Sequence, residues 1–146
     1  MENINSGWEF QKLYQTDIDK ICNMDEISFD REAFEQVDLP HTWYSEENPY
    51  KGTVVYRKKV MLDYKEDNQV FLIFLAADRW CKVFVNRHYV GEHKGGYSAF
   101  TFPITQYCEP GKENELDIFL DNRSWEEISP LTGDFTVFGG LYRGID

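Results

Sequence analysis

Trp80-Cys81-Lys82-Val83-Phe84-Val85-Asn86, followed by Arg87-His88-Tyr89-Val90-Gly91, is the stretch on which the fold turns. Cys81, Val83 and Val85 alternate with Lys82 and Phe84, a period of two that belongs to a β-strand. Asn86-Arg87-His88 then predicts a tight hairpin into Tyr89-Val90-Gly91. Upstream, Asn68 to Ala77 is almost continuously apolar, with Val70 to Ala77 (VFLIFLAA) the longest such run, so a strand covered on both faces is expected there. Thr53 to Leu62 is rich in β-branched residues and follows the turn formers Asn48, Pro49 and Gly52. Gly7 to Tyr14 alternates Trp8 and Phe10 with polar neighbours. Residues 15–33 are polar and mixed and read as a loop, with a short helical turn at Asp30 to Phe34. Downstream, Ala99 to Ile104 reads as a strand with Pro103 near its end, where a missing donor is tolerated. Glu109-Pro110-Gly111-Lys112 is a turn. Glu115 to Asp121 alternates Leu116, Ile118 and Leu120 with Asp117, Phe119 and Asp121. Phe135 to Ile145 is strand-like, broken by Gly139-Gly140. About eight short strands, frequent turn signals and no 3.6-residue period predict an all-β sandwich or barrel.

The chain has 146 residues, which fits a single domain over 1–146. A globule of this size buries roughly 68–70% of its unfolded surface and needs no staples. The 26 acidic and 15 basic side chains give a formal charge of −11, which argues against a nucleic acid or an anionic membrane as partner. Apolar residues at 42% argue against disorder. No apolar run reaches the roughly 18 residues of a membrane span. Residues 1–20 lack a basic start and an apolar stretch, so no signal peptide is expected and a cytoplasmic location is. Cys22, Cys81 and Cys108 show no CxxC or Cys/His ligand spacing, so free, buried or half-buried thiols are expected rather than zinc or a disulfide framework.

Three loops concentrate aromatic, hydroxyl, carboxylate and amide groups: Leu39 to Tyr44, Glu92 to Ser98, and Arg123 to Arg143. These residue types bind sugars, since a pyranose packs its CH face on a ring and its hydroxyls need paired donors and acceptors. The same composition also suits loops that only close the ends of a sandwich. Glycosidic hydrolysis needs two carboxyls at a set separation. Glu46, Glu47, Glu126, Glu127 and Asp134 are available, but no spacing marks an acid and a nucleophile. No GxSxG is present, and His41, His88 and His93 stand in no triad context. Gly95-Gly96 and Gly139-Gly140 are isolated pairs, not phosphate fingerprints. Asn122-Arg123-Ser124 matches a glycosylation sequon and reads as a turn.

The order of these motifs resembles a known family. Val37-Asp38-Leu39-Pro40-His41-Thr42-Trp43, then Tyr50-Lys51-Gly52 and Tyr56-Arg57-Lys58, resemble the N-terminal sugar-binding domain of glycoside hydrolase family 2. Val83-Phe84-Val85-Asn86, Val90 to Tyr97, Phe100 to Thr105, Asn114-Glu115-Leu116 and Asp121-Asn122 continue the likeness in order. Gly133-Asp134-Phe135 through Gly139-Gly140-Leu141-Tyr142-Arg143 closes it in the manner of bacterial β-galactosidases. The resemblance implies a jelly-roll β-sandwich of the galactose-binding kind. It implies that the chain is a fragment, with an immunoglobulin-like domain and a catalytic barrel elsewhere, so no catalytic residue is assigned. It implies that Asp134 contacts galactose hydroxyls and can ligate a sodium ion, and that Thr42, His41 and Trp43 form part of the substrate-binding loop. No cofactor is implied in the fragment; sodium or magnesium is implied for the full enzyme. The expected partners are a β-galactoside and the chain's own catalytic barrel, in a homo-oligomer. Asp134 also suits a local turn cap. A stand-alone carbohydrate-binding module, with exposed rings such as Trp43, Trp80 or Trp125, is the alternative. A structural domain of a β-glucuronidase or β-mannosidase, with an apolar patch around Phe135, Val137, Phe138 and Leu141, is a third reading.

Overall fold

The computed structural model describes residues 2–4, 6–14, 16–27, 29–38, 52–64, 68–76, 79–95, 100–121 and 136–143. In chain order its strands are β1 (Glu2–Asn3), β2 (Trp8–Leu13), β3 (Glu35–Val37), β4 (Thr53–Leu62), β5 (Asn68–Ala76), β6 (Arg79–Val85), β7 (His88–Gly95), β8 (Phe100–Pro103), β9 (Lys112–Asp121) and β10 (Thr136–Arg143). They form a four-stranded sheet, β1-β10-β5-β8, and a six-stranded sheet, β3-β2-β4-β9-β6-β7. Every pairing is antiparallel. Single 3-10 turns lie at Ile18–Lys20, Met24–Glu26, Arg31–Ala33 and Thr105–Tyr107, and no α-helix occurs among the described residues. The expected all-β, jelly-roll-type sandwich is therefore the fold.

The period-two pattern decides which side chains face the core. Trp8 and Phe10 of β2, Val54 and Tyr56 of β4, Cys81, Val83 and Val85 of β6, and Leu116, Ile118 and Leu120 of β9 face inward. Val70, Leu72 and Phe74 of β5 meet them from the other sheet. Each large side chain buried this way contributes roughly 1.5–3 kcal/mol. Phe10 and Tyr56 pack with ring centroids 5.0 Å apart, and Phe74 meets Phe102 edge-on at 5.9 Å. Trp8 satisfies its indole N–H by donating to the Ile4 carbonyl at 2.6 Å. Gly91 marks the closest approach of the sheets on β7: a Cβ there would lie 2.8 Å from Phe102 Cε1.

The hairpin predicted at Asn86 is present as a two-residue turn. Asn86 and Arg87 both have positive φ, 50° and 68°, as a turn matched to the strand twist requires. Asn86 is fixed by its side chain, which donates to Tyr107 O and Asn114 Oδ1, both at 2.8 Å, and accepts from Glu115 N at 2.9 Å. Arg87 pairs with Asp25 at 2.6 Å.

The structure corrects several expectations. Residues 17–34 are not a solvated loop. Ile18, Ile21 and Met24 are buried, and with Ile27, Phe29 and Phe34 they cover the outer face of the six-stranded sheet. That sheet is therefore buried on both sides, and Asp117, Asp121 and Lys82, polar residues in alternating strands, lie inside rather than in water. Conversely, β5 is fully buried on one face only; Phe71 and Ile73 on its other face are half-buried. The backbone of β10 runs unbroken through Gly139-Gly140, which pair with Leu72 and Phe71. β1 and β3 are additional strands of two and three residues. Cys81 is buried and Cys108 half-buried, but Cys22 is exposed.

Candidate functional site

Strand register brings several strand ends that border the chemistry-bearing segments to one end of the sandwich. Thr53 at the start of β4 pairs with Asp121 at the end of β9, and Asp121 pairs with Trp80 at the start of β6. Trp80 pairs with Lys94, next to the end of β7 at Gly95. In the other sheet, Ala76 at the end of β5 pairs with Thr136 at the start of β10. Phe100 at the start of β8 lies close by, opposite Phe74. These strand ends flank residues 77–78, 96–99 and 122–135, and receive the chain after residues 39–51.

On the outer face of the six-stranded sheet, Leu13, Thr53, Asp121, Trp80 and Lys94 form one cross-strand row. Thr53 Oγ1 donates to Asp121 Oδ2 at 3.1 Å, and both residues are fully buried. A carboxylate at the last position of β9 thus holds the exit of the strand in a fixed direction. Trp80 is half-buried, its Nε1 donates to Glu92 Oε2 at 2.7 Å, and the Lys94 ammonium sits 4.1 Å from its ring centroid. A cation on the indole face gains from the ring quadrupole, and it occupies surface that a sugar would need. Trp80 is therefore a framework ring, not an open platform. One row along, the buried Lys82 donates to the Ile21 carbonyl at 3.0 Å and lies 5.5 Å from the Trp80 centroid. This bond ties the 17–34 cover to the sheet next to the row.

A cleft of about 570 Å³ opens beside this end, between β2 and residues 16–30, with Lys12, Tyr14, Asp17, Lys20, Asn23 and Asp30 in its lining. Tyr14 is 67% exposed there. Gln11 forms its floor, donating to Asp30 O at 2.5 Å and accepting from Asp30 N at 3.3 Å.

The sequence-predicted contact residues His41, Thr42, Trp43 and Asp134 lie outside the described residues, as do Glu46, Glu47, Glu126, Glu127 and Trp125. The patch expected around Phe135, Val137, Phe138 and Leu141 has only backbone described, at residues 136–143. What is described is how the flanking chain is held. Asp38, which leads into residues 39–50, accepts from Gly7 N at 2.9 Å through Oδ1. Residues 122–135 run between the anchored Asp121 and Thr136. Sodium, tied to Asp134 by the resemblance, falls outside the described residues with it, and magnesium, implied for the full enzyme, has no residue assigned. Among the described residues no group of three His, Cys, Asp or Glu side chains is placed to hold a metal. His88 lies at the far end of β7 with its ring 6.3 Å from that of Tyr107, and His93 is half-buried on β7.

Sequence reasoning missed the buried polar groups on the outer face. Arg57 Nε donates to Asp117 Oδ1 at 2.7 Å and lies 3.7 Å from Glu115 Oε1. The guanidinium packs against both Phe29 and Phe34, at 4.6 and 5.3 Å from their centroids. Burial, and then the neighbouring Glu115, push the Asp117 carboxyl up to about 7, against the pull of Arg57. The available signal was the apolar content of residues 18–34, which alone can bury that face.

Comparison with known proteins accounts for this arrangement. The family described as glycosyl hydrolases family 2, sugar binding domain, matches residues 2–146. A β-glucuronidase of Bacteroides fragilis is 32% identical over 149 residues, covering 97% of this chain and 19% of its own length. A β-galactosidase of Thermoanaerobacter pseudethanolicus is 36% identical over 129 residues, covering 82% of this chain and 17% of its own length. The crystal structure of a Bacteroides uniformis β-glucuronidase superposes with a TM-score of 0.75 at 29% identity, over 96% of this chain and 17% of that one. The chain spans about a fifth of the length of the curated relatives it matches. With its motifs in order, its sandwich and its full-length match, the chain belongs to glycoside hydrolase family 2, as a sugar-binding domain.

Proposed function

We propose that this chain is the non-catalytic, N-terminal sugar-binding part of a larger hydrolase of terminal β-galactosides. The match of residues 2–146 to the family's sugar-binding domain carries the reading. The acid and nucleophile reside in a separate barrel domain, and this sandwich supplies binding energy and orientation. Asp134 accepts from galactose hydroxyls and can serve as a sodium ligand. Thr42 offers one hydroxyl from the loop that also holds His41 and Trp43. Contacts remote from the scissile bond raise the rate when they strengthen in the transition state and hold the bond in a reactive pose. Anchoring of the flanking chain at Asp38 and Asp121 supports this role, because a binding loop on a rigid frame loses less entropy when it engages sugar.

A β-glucuronidase is the second reading, favoured by what the B. fragilis and B. uniformis relatives are called. Turnover of nitrophenyl β-galactoside and nitrophenyl β-glucuronide by the enzyme that carries this chain separates the two. Faster galactoside turnover is expected, and faster glucuronide turnover would reverse the assignment. Hydrolysis of either substrate by the 146-residue chain alone would overturn the non-catalytic role.

A further inference from the structure

The outer face of the six-stranded sheet holds two acids and one base in a largely buried site, with Asp117 at 0% exposure and Arg57 and Glu115 at 16% and 22%. Asp117 is fully buried, and its Oδ1 accepts from Arg57. Its Oδ2, also buried, has no hydrogen-bond donor. Glu115, two residues earlier on the same strand face, brings its Oε1 to 3.7 Å from the same Arg57 Nε. One guanidinium balances one carboxylate, so a second ionised carboxylate here is an uncompensated charge in low dielectric. A proton between the two acids removes that charge and gives the orphaned oxygen its missing O–H. The pull of burial on Asp117 runs in the same direction.

Other charges around the pair do not supply the missing compensation. Glu9 lies in register with Arg57 and adds negative charge, while Lys59, opposite Glu115, is exposed to solvent and forms no ion pair with it. Arg87 feels both acids but is exposed and committed to Asp25. Lys82, one row along, is committed to the Ile21 carbonyl. Phe84 of β6 and Tyr89 of β7 complete the row without a charge at neutral pH.

Arg57 is also one of the points where the cover is fastened, beside Lys82, Arg87 and Gln11. Phe29 and Phe34 pack on its guanidinium, and Phe34 directly precedes β3, which leads into residues 39–50. We propose that Asp117 and Glu115 share one proton beneath Arg57, and that losing this proton loosens residues 17–34 and β3 from the sheet. The pair is a proton-operated latch on the segment that precedes residues 39–51 in the chain. In the closed form the proton sits between the two carboxyls and Arg57 is neutralised by the remaining charge. When it leaves to solvent, repulsion between the carboxylates is relieved by opening the cover to water.

Hydrogen exchange read by mass spectrometry on the full chain tests the latch, with rates corrected for intrinsic pH dependence. For an acid held protonated to about pH 7 when closed and released when open, opening of residues 17–34 rises about tenfold from pH 6 to pH 8. The β6–β7 hairpin should show no such rise. Asp117→Asn, neutral at both pH values, should flatten the response; Glu115→Gln, leaving one acid for one base, should reduce it below about threefold. The second variant decides the matter if the first does not fold. A flat wild-type response, or a variant slope equal to the wild type's, would overturn the proposal.

Discussion

Asn114→Ala removes a buried side chain that makes four hydrogen bonds, and its cost follows from the bonds it breaks. Asn114 is fully buried at the end of the sandwich opposite the candidate site. Its Oδ1 accepts from Asn86 Nδ2 at 2.8 Å and from Glu109 N at 2.7 Å. Its Nδ2 donates to the carbonyls of Glu109 at 3.0 Å and Lys112 at 2.9 Å. These bonds join the Asn86–Arg87 turn to the connection between β8 and β9. An isolated intramolecular hydrogen bond contributes about 1 kcal/mol net, and a buried group left unpaired costs about 1–3. Asn86 retains Tyr107 O, and the chain at Glu109 and Lys112 is exposed enough to recruit water, so only part of the penalty applies. The expected loss is about 2–4 kcal/mol. At roughly 2–4 °C per kcal/mol for a domain near 150 residues, the melting temperature falls by about 5–15 °C. Urea unfolding followed by circular dichroism should show a lower midpoint at an unchanged slope. A loss below about 1 kcal/mol would refute the claim that this residue pins the hairpin. Because the residue is far from Thr53 and Asp121, sugar affinity of the folded variant should not change.

Gly91→Ala places a methyl 2.8 Å from Phe102 and should cost about 1–3 kcal/mol, with Phe102→Leu restoring at least half in the double variant; thermal melts of the three variants check this. Arg57→Met leaves Asp117 buried without its cation and should cost about 3–5 kcal/mol at pH 8, and clearly less at pH 5, where Asp117 is protonated; denaturant titrations at the two pH values read the difference. The exposed Cys22 should be alkylated by iodoacetamide well before Cys108, whose thiol burial pushes up to about 11, and before the buried Cys81; peptide mass spectrometry orders the three. Calorimetric titration of the 146-residue chain with galactose, lactose or glucuronic acid should give millimolar binding or weaker if, as proposed, the site is completed by a separate barrel domain; micromolar affinity would favour a stand-alone module.

Where side-chain period and burial agree, the sequence is a good guide. Thr53–Leu62 is a strand over the residues its β-branched run spans, and the Asn86 turn follows from alternation resuming two residues later. The 17–34 cover escaped because its apolar residues sit on and between short 3-10 turns, an arrangement that carries neither a period of two nor of 3.6. Once the cover is missed, Asp117, Asp121 and Lys82 read as a solvated face, because alternation reports two faces but not what lies over the second. Gly139-Gly140 suggested a break, yet pairing on both sides, by β1 and β5, holds the backbone of β10 extended there. Of the site, the order of motifs pointed to the family, and the register explains why distant segments share one end. Nothing local in the sequence distinguishes Asp121, a buried anchor, from Asp134, the proposed sugar ligand; only the strand ending at Asp121 does.

The central claim is that this domain contributes a sugar contact to an active site completed elsewhere. The most direct measurement is kcat/KM of the enzyme carrying this chain, wild type against Asp134→Ala, on a nitrophenyl β-galactoside. The expected result is a loss of tenfold or more, about 1.4 kcal/mol of transition-state stabilisation, with folding unchanged. An unchanged kcat/KM would remove Asp134 from the site and contradict the account.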